Sequence, residues 1–259
     1  MTHLHLRRWI IIGLTSATVC STSWAATLIK RDLQGKTETV IMERQKIRIQ
    51  SPNPNSYALM HLDKGKTYMV DATQKRIVEM DIVGKPPQVQ LPKDMPKPPW
   101  GNSVRAKLVK QSGKLDIAGY STEHYQIEAL GKACFDVYFS KKAAWVDYVE
   151  DFLNASYEIT NSRKIKGMPL HPCQKAHEDL EKKIKRRGIP MKFVMKGNSD
   201  QIIYEVTNIR TGVRVSADVF ALPTGYKMIS EQDWMTEREA KMNEWREKNK
   251  GTHTLPSRE

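Results

Sequence analysis

The chain has 259 residues, 39% of them hydrophobic and 27% charged, with a formal net charge of +13. That apolar share is too high for a disordered polymer, and the length suffices for one sizeable core or two small ones. The positive balance suits anionic partners such as phospholipid head groups, lipopolysaccharide or cell-wall polymers, or serves only as a solubilising surface. No nucleic-acid motif accompanies it, so nucleic acid is not expected as a partner.

The first residues read MTHLHLRRWIIIGLTSATVCSTSWAA. A basic start with Arg7 and Arg8, an apolar stretch opening at Trp9 to Leu14 and a small-x-small exit at Ser23-Trp24-Ala25 predict a signal peptide over residues 1–25. The apolar part is shorter than a membrane span, and no later run reaches that length. Val19 stands where a small residue precedes a lipoprotein cysteine, which speaks against lipidation of Cys20. A soluble protein of the periplasm or exterior, with a Gram-negative-type leader, is therefore expected. Cleavage after Ala25 removes two arginines and no acid and leaves two cysteines, Cys134 and Cys173. An even pair in an oxidising compartment predicts a disulfide. Its loop of about 40 residues is worth about 3–4 kcal/mol in the chain-entropy model.

From Thr27 to Ile82 the sequence predicts a meander of strands at 27–33, 38–44, 46–50, 57–62, 67–71 and 76–82, joined by short turn-rich connections such as Gln34-Gly35 and Lys64-Gly65-Lys66. Residues 83–101 hold six prolines and break the pattern. They read as a strap between two parts of a sheet, or as a lid with Leu91, Met95 and Trp100 as its apolar contacts. Strands resume at 104–111, 121–130 and 133–140. Trp145, Tyr148, Val149 and Phe152 then fall at i, i+3, i+4 and i+7 and predict an amphipathic helix whose aromatic face either lines a cavity or packs in the core. A second helix is expected over 174–187, with Ala176, Leu180 and Ile184 as its stripe. Lys182 to Arg187 load its end, either complementing the helix dipole or touching an anionic membrane surface.

In the stretch 188–230, Met191, Phe193 and Met195 alternate with Lys192, Val194 and Lys196. Ile202, Tyr204 and Val206 alternate with Gln201, Ile203 and Glu205, and Val213 and Val215 with Arg214 and Ser216. Gly197-Asn198 and Thr211-Gly212 separate these three strands as hairpin turns. From Ser230 the tail reads as a helix, with Ser230 and Asp233 resembling a capping box and Trp234, Met235, Met242 and Trp245 forming a sparse stripe. That helix either docks on the domain or is kept for an envelope protein partner, and residues from Asn249 onward are expected to be disordered. The chain thus divides into residues 1–25, a single β domain over 26–230, and a helix and tail over 231–259.

The Gly188-Ile189-Pro190 opening and the closing Phe220-Ala-Leu-Pro-Thr-Gly-Tyr226 resemble exported bacterial envelope proteins with a LolA/LppX-like (outer-membrane lipoprotein carrier-like) fold, over about Lys36 to Met228. The resemblance implies a half-barrel with helices across its mouth and an acyl chain or other apolar ligand in its concavity, with no catalytic group and no cofactor.

The residues themselves agree in showing no Gly-x-Ser-x-Gly, no His-Glu-x-x-His and no phosphate-cradling glycine loop, so no enzymatic activity is expected. Paired carboxylates occur near Asp147–Asp151, where solvation accounts for them. His171-Pro-Cys173-Gln-Lys-Ala-His177 has metal-binding flavour, with Met168 and Cys134 as further donors, but its spacing fits no standard site and a disulfide would remove the thiols. Methionines such as Met42, Met60, Met69, Met80 and Met228 suit an adaptable apolar pocket, and equally suit core filling.

The fold expected is mainly β (α+β), a curved antiparallel sheet or half-barrel with two or three helices over one side. Its apolar ligand would meet Tyr68, Val70, Trp145, Tyr148, Phe152, Met191, Phe193, Met195 and Tyr204, with either sheet face as the inner one. The alternatives are a protein-interaction module with a filled core, and metal or redox handling through His171, Cys173 and His177. An inner face crowded with large side chains favours the interaction module.

Overall fold

A computed structural model describes residues 24–85, 98, 100, 104–165 and 168–249. The expected leader lies outside these residues apart from Trp24 and Ala25, as do Leu91 and Met95 of the proline-rich segment and the last ten residues. In chain order the elements are β1 (Trp24–Leu33), β2 (Lys36–Glu43), β3 (Lys46–Gln50), β4 (Ser56–His61), β5 (Lys66–Asp71), β6 (Arg76–Asp81), β7 (Lys107–Lys110), β8 (Asp116–Ile117), β9 (Tyr120–Ser121), β10 (Glu123–Ala129) and β11 (Lys132–Ser140). There follow α1 (Lys141–Ala144), α2 (Val149–Ser162), α3 (Pro172–Lys185), β12 (Ile189–Met195), β13 (Gln201–Val215), β14 (Lys227–Ser230) and α4 (Glu231–Asn249).

Twelve strands form one curved sheet in the order β14-β6-β5-β4-β3-β2-β1-β13-β12-β11-β10-β7. Neighbours are antiparallel except β14, which runs parallel to β6. Among the described residues the two ends, β14 and β7, do not meet, so the sheet stays open. β8 and β9 make a small separate hairpin. Two-residue loops at Gln34-Gly35 and Leu130-Gly131, with positive φ at both positions, close hairpins whose strands carry the expected alternation.

Residues paired across strands point to the same side, so register sorts the faces. On one side Val40, Met42, Ile47, Met60, Met191 and Val206 pack against Val149, Phe152 and Ala155 of α2. On the same side Tyr125, Ile127, Val137 and Phe139 receive Ala176 and Leu180 of α3. The two helices lie next to each other, with Asn161 Nδ2 donating to Glu181 Oε1 at 3.1 Å and Lys164 Nζ 3.4 Å from Glu178. On the other side Leu59, Tyr68, Val70 and Ile77 are covered by Leu222 and Tyr226. Arg48 Nη1 and His61 Nε2 hold that covering segment by donating to the carbonyls of Val219 and Phe220 at 3.1 and 3.0 Å.

Two expectations change. Thr211-Gly212 is no hairpin turn: β13 runs unbroken from Gln201 to Val215, pairing first with β12 and then with β1. Gly212 at φ +65° lies where the β1 register shifts by one residue, so the glycine signal marks a bulge. The first long helix starts at Val149, because Tyr148 at φ +68° breaks the spacing that joined it to Trp145. Gly188 is needed where α3 turns into β12: its φ is +106° and an added Cβ would sit 2.4 Å from the Ser140 carbonyl oxygen. Among the described residues no helix is long and apolar enough to cross a membrane.

Candidate functional site

The chain passes from one side of the sheet to the other at its β6 edge. The segment that ends at Tyr226 covers the side carrying Tyr68 and Val70; β14 then extends the edge, and α4 departs toward the opposite side. Ser230 caps α4, its Oγ accepting the Asp233 N–H at 3.1 Å. Arg163, just past α2, joins three elements: Nε donates to Glu231 Oε1 at 2.9 Å and Nη2 to the Asp81 carbonyl at 2.7 Å. Arg76 Nη1 meets Glu237 Oε2 at 2.6 Å. Both of these anchors fall in the first seven residues of α4.

Between α4 and the helix-bearing side of β5 and β6 lies a groove of about 1870 Å³. Its floor carries Thr67, Met69 and Met80; β14 adds Met228 and Ile229, α2 adds Ile159, and α4 adds Trp234, Met235 and Met242. Thr67 is 5% exposed, and its hydroxyl finds no hydrogen-bond partner among the described residues. Met69, Met235 and Met242 of this set remain between 38% and 45% exposed, unusual for unbranched apolar side chains gathered in one place.

Charge on the groove is divided between paired and unpaired groups. Lys66 Nζ sits 2.9 Å from Glu79 and 2.8 Å from Asp81, and hydrogen bonds to Asp81 and Glu79 push its ammonium well above the usual lysine range. Lys85, Arg238 and Arg246 also line the groove, without a carboxylate partner among the described residues. Arg238 lies 5.5 Å from the Trp234 ring.

The residues expected around a ligand are distributed differently. Phe152, Met191, Phe193 and Tyr204 do come together on the helix-bearing side, where they are packed: the Phe193 and Tyr204 rings stack at 6.1 Å, and Arg31 lies 5.9 Å from both Phe152 and Tyr204. Burial drives the Tyr204 hydroxyl far above its ordinary value. Tyr148 packs against the same core, and Met195 is half exposed at the end of β12. Tyr68 and Val70 face the opposite side, and Trp145 stands 88% exposed between α1 and α2. None of these nine lines the groove. What does line it was visible as a surplus of strand methionines and a tail stripe, but the parallel pairing of β14 with β6 that unites them leaves no local signal.

Cys134 on β11 and Cys173 on α3 form a disulfide, with Cα atoms 5.4 Å apart. His171 Nδ1 accepts the Cys173 N–H at 3.3 Å as the cap of α3. His177 lies between the rings of Phe135 and Phe193, and burial lowers its pKa. Each member of the histidine–cysteine segment thus has a structural partner.

The fold class is a mainly β one, an open antiparallel sheet with helices laid on it. Within it, the chain belongs to the family described as DUF4412, domain of unknown function, which matches residues 27–226. Among solved structures it is similar to PNGF-II (9% identity, TM-score 0.37, covering 83% of this chain and 33% of that one). It is also similar to the MucA/MucB complex of Pseudomonas aeruginosa (11% identity, TM-score 0.36, covering 80% and 58%). A crystal structure of MucB gives 12% identity and a TM-score of 0.29 over 80% of this chain and 59% of that one. The chain therefore spans from a third to under two thirds of these structures. No curated protein matches it.

Proposed function

We propose that this is a non-catalytic binding protein of the cell envelope that takes an apolar ligand in the groove beside α4. The observation that carries this reading is the set Met69, Met235 and Met242, half exposed around a space of about 1870 Å³ while the aromatic side chains nearer the sheet centre are packed. Thioethers on flexible stems adapt to varied apolar shapes. The LolA/LppX resemblance implies a ligand in the concavity of the sheet, on either face; the crowding beneath α2 speaks for the sheet edge instead, and for the interaction-module alternative. A disulfide between β11 and α3 fits an exported chain, and the leader expected at residues 1–25 would deliver it.

The test is a fluorescence titration of residues 26–259 with N-phenyl-1-naphthylamine, an uncharged apolar dye. Emission should rise on binding to the wild type and fall away in a Met69→Lys/Met235→Lys variant whose circular dichroism is unchanged. Dye binding that ignores the substitutions, or none at all, would remove the groove as the site.

A further inference from the structure

We infer that the occupant of the groove is an acidic amphipathic helix belonging to a partner protein, an inference that rests on the groove being the binding site. Three observations lead there. The first is size. A volume of about 1870 Å³ exceeds the range of about 300–1,000 Å³ usual for small-molecule sites.

The second is the shape and chemistry of the walls. The groove follows α4, whose 19 residues extend about 28 Å at the helical rise. Met235 and Met242 are two turns apart on that wall, and Met69 and Met80 line the strand side. A helix laid between the walls would set its i, i+3, i+4 and i+7 side chains against thioethers on both sides, the recurring mode of helix-in-groove recognition.

The third is charge. Lys66 and Arg163 offset two of the three acids Glu79, Asp81 and Glu231, so the lining as a whole is basic by a single charge. Of the remaining charged lining residues, Lys85, Arg238 and Arg246 outnumber Glu239. The polar face of the occupant is accordingly acidic, and its attraction is strongest at low ionic strength.

The experiment uses residues 26–259 with the disulfide intact and two fluorescent peptides of about 18 residues, or five helical turns. Both carry leucine on one face; the other face is glutamate in one peptide and lysine in its twin. By anisotropy the acidic peptide should bind about tenfold tighter than the twin, with the gap closing as salt approaches about 0.5 M. Met235→Glu with Met242→Glu should weaken the acidic peptide by about tenfold or more, because charge is placed in the apolar contact. Arg238→Glu with Arg246→Glu should reverse the preference. These four positions lie on an exposed helix, and a circular dichroism spectrum checks that it persists.

Equal affinity for the twins, no peptide binding, or indifference to the methionine substitutions would overturn the inference. Saturable uptake of phosphatidylglycerol that neither peptide displaces would overturn it too and make the occupant a single lipid. If the apolar dye still enters the groove when the peptides fail, only the occupant is wrong; if the dye fails as well, the binding site itself is lost.

Discussion

On the β10–β11 half of the sheet, α3 is bonded covalently through Cys173 to Cys134, and Ala176 and Leu180 close over Ile127, Val137 and Phe139. On the β5–β6 half, α4 is tied by Arg163–Glu231 and Arg76–Glu237, and its Met235, Met242 and Trp245 remain 40% or more exposed. The two helices differ in sequence as well: α3 carries the apolar stripe Ala176, Leu180 and Ile184, whereas the apolar residues of α4 are scattered among charges. The covalently held one fills its half of the sheet, while the one held by ion pairs leaves a groove. Exposed ion pairs each contribute about 0–1 kcal/mol, too little to enforce close packing against a sheet, yet enough to fix where a helix begins.

The largest test of this contrast is removal of the disulfide. Cys134→Ser with Cys173→Ser should lower unfolding stability by about 3–4 kcal/mol in urea melts, since the cross-link spans 39 residues. A loss below about 1 kcal/mol would show that packing alone holds α3 and erase the distinction. On the other half, Arg163→Ala should cost about 1 kcal/mol or less, because the Arg163–Glu231 pair is partly solvated. Its larger effect should be on proteolysis within α4, which loses its tie to α2; unchanged cleavage would mean that β14 alone positions the helix.

The smallest effect concerns acid. Burial would raise Asp136, but Gln126 and Lys196, with the His124 ring 3.2 Å away, outweigh it and hold its carboxyl below the usual range. A depressed folded pKa means stability that is complete above the unfolded value of about 3.9 and is lost as pH falls through the folded one. Asp136→Asn should therefore be less stable than wild type at neutral pH and should converge with it in strong acid. Because Asp136 joins β11 to β12 through Lys196 Nζ at 3.2 Å, the loss should appear in the α3 half and spare the groove.

Much of the fold could be read from local chemistry. Alternation and turn residues placed the strands between Thr27 and Ile82 to within three residues, the largest difference being the start of β1 at Trp24. The misreadings share one cause, a local signal with two physical outcomes. A glycine at positive φ serves a hairpin or a bulge, and at Gly212 the long partner β1 decided for the bulge. Aromatic side chains at helical spacing continue a helix only if the backbone does, and the left-handed Tyr148 interrupts it, leaving Trp145 outside. The ligand wall was harder still. Alternation groups Tyr68 with Val70 and Phe193 with Met195 but does not say that the pairs lie on opposite sides. Only the full ladder of strand pairings settles that.

The parallel pairing of β14 with β6 also has a bearing on how the chain must mature. In chain order β14 follows every other strand of the sheet, and until residues 227–230 have been made β6 presents unpaired backbone groups along one border of a nearly complete sheet. A product truncated before Lys227 would lose more than the groove. It would keep a sticky border able to recruit other unfinished copies, so β14 doubles as protection against fibre-like assembly.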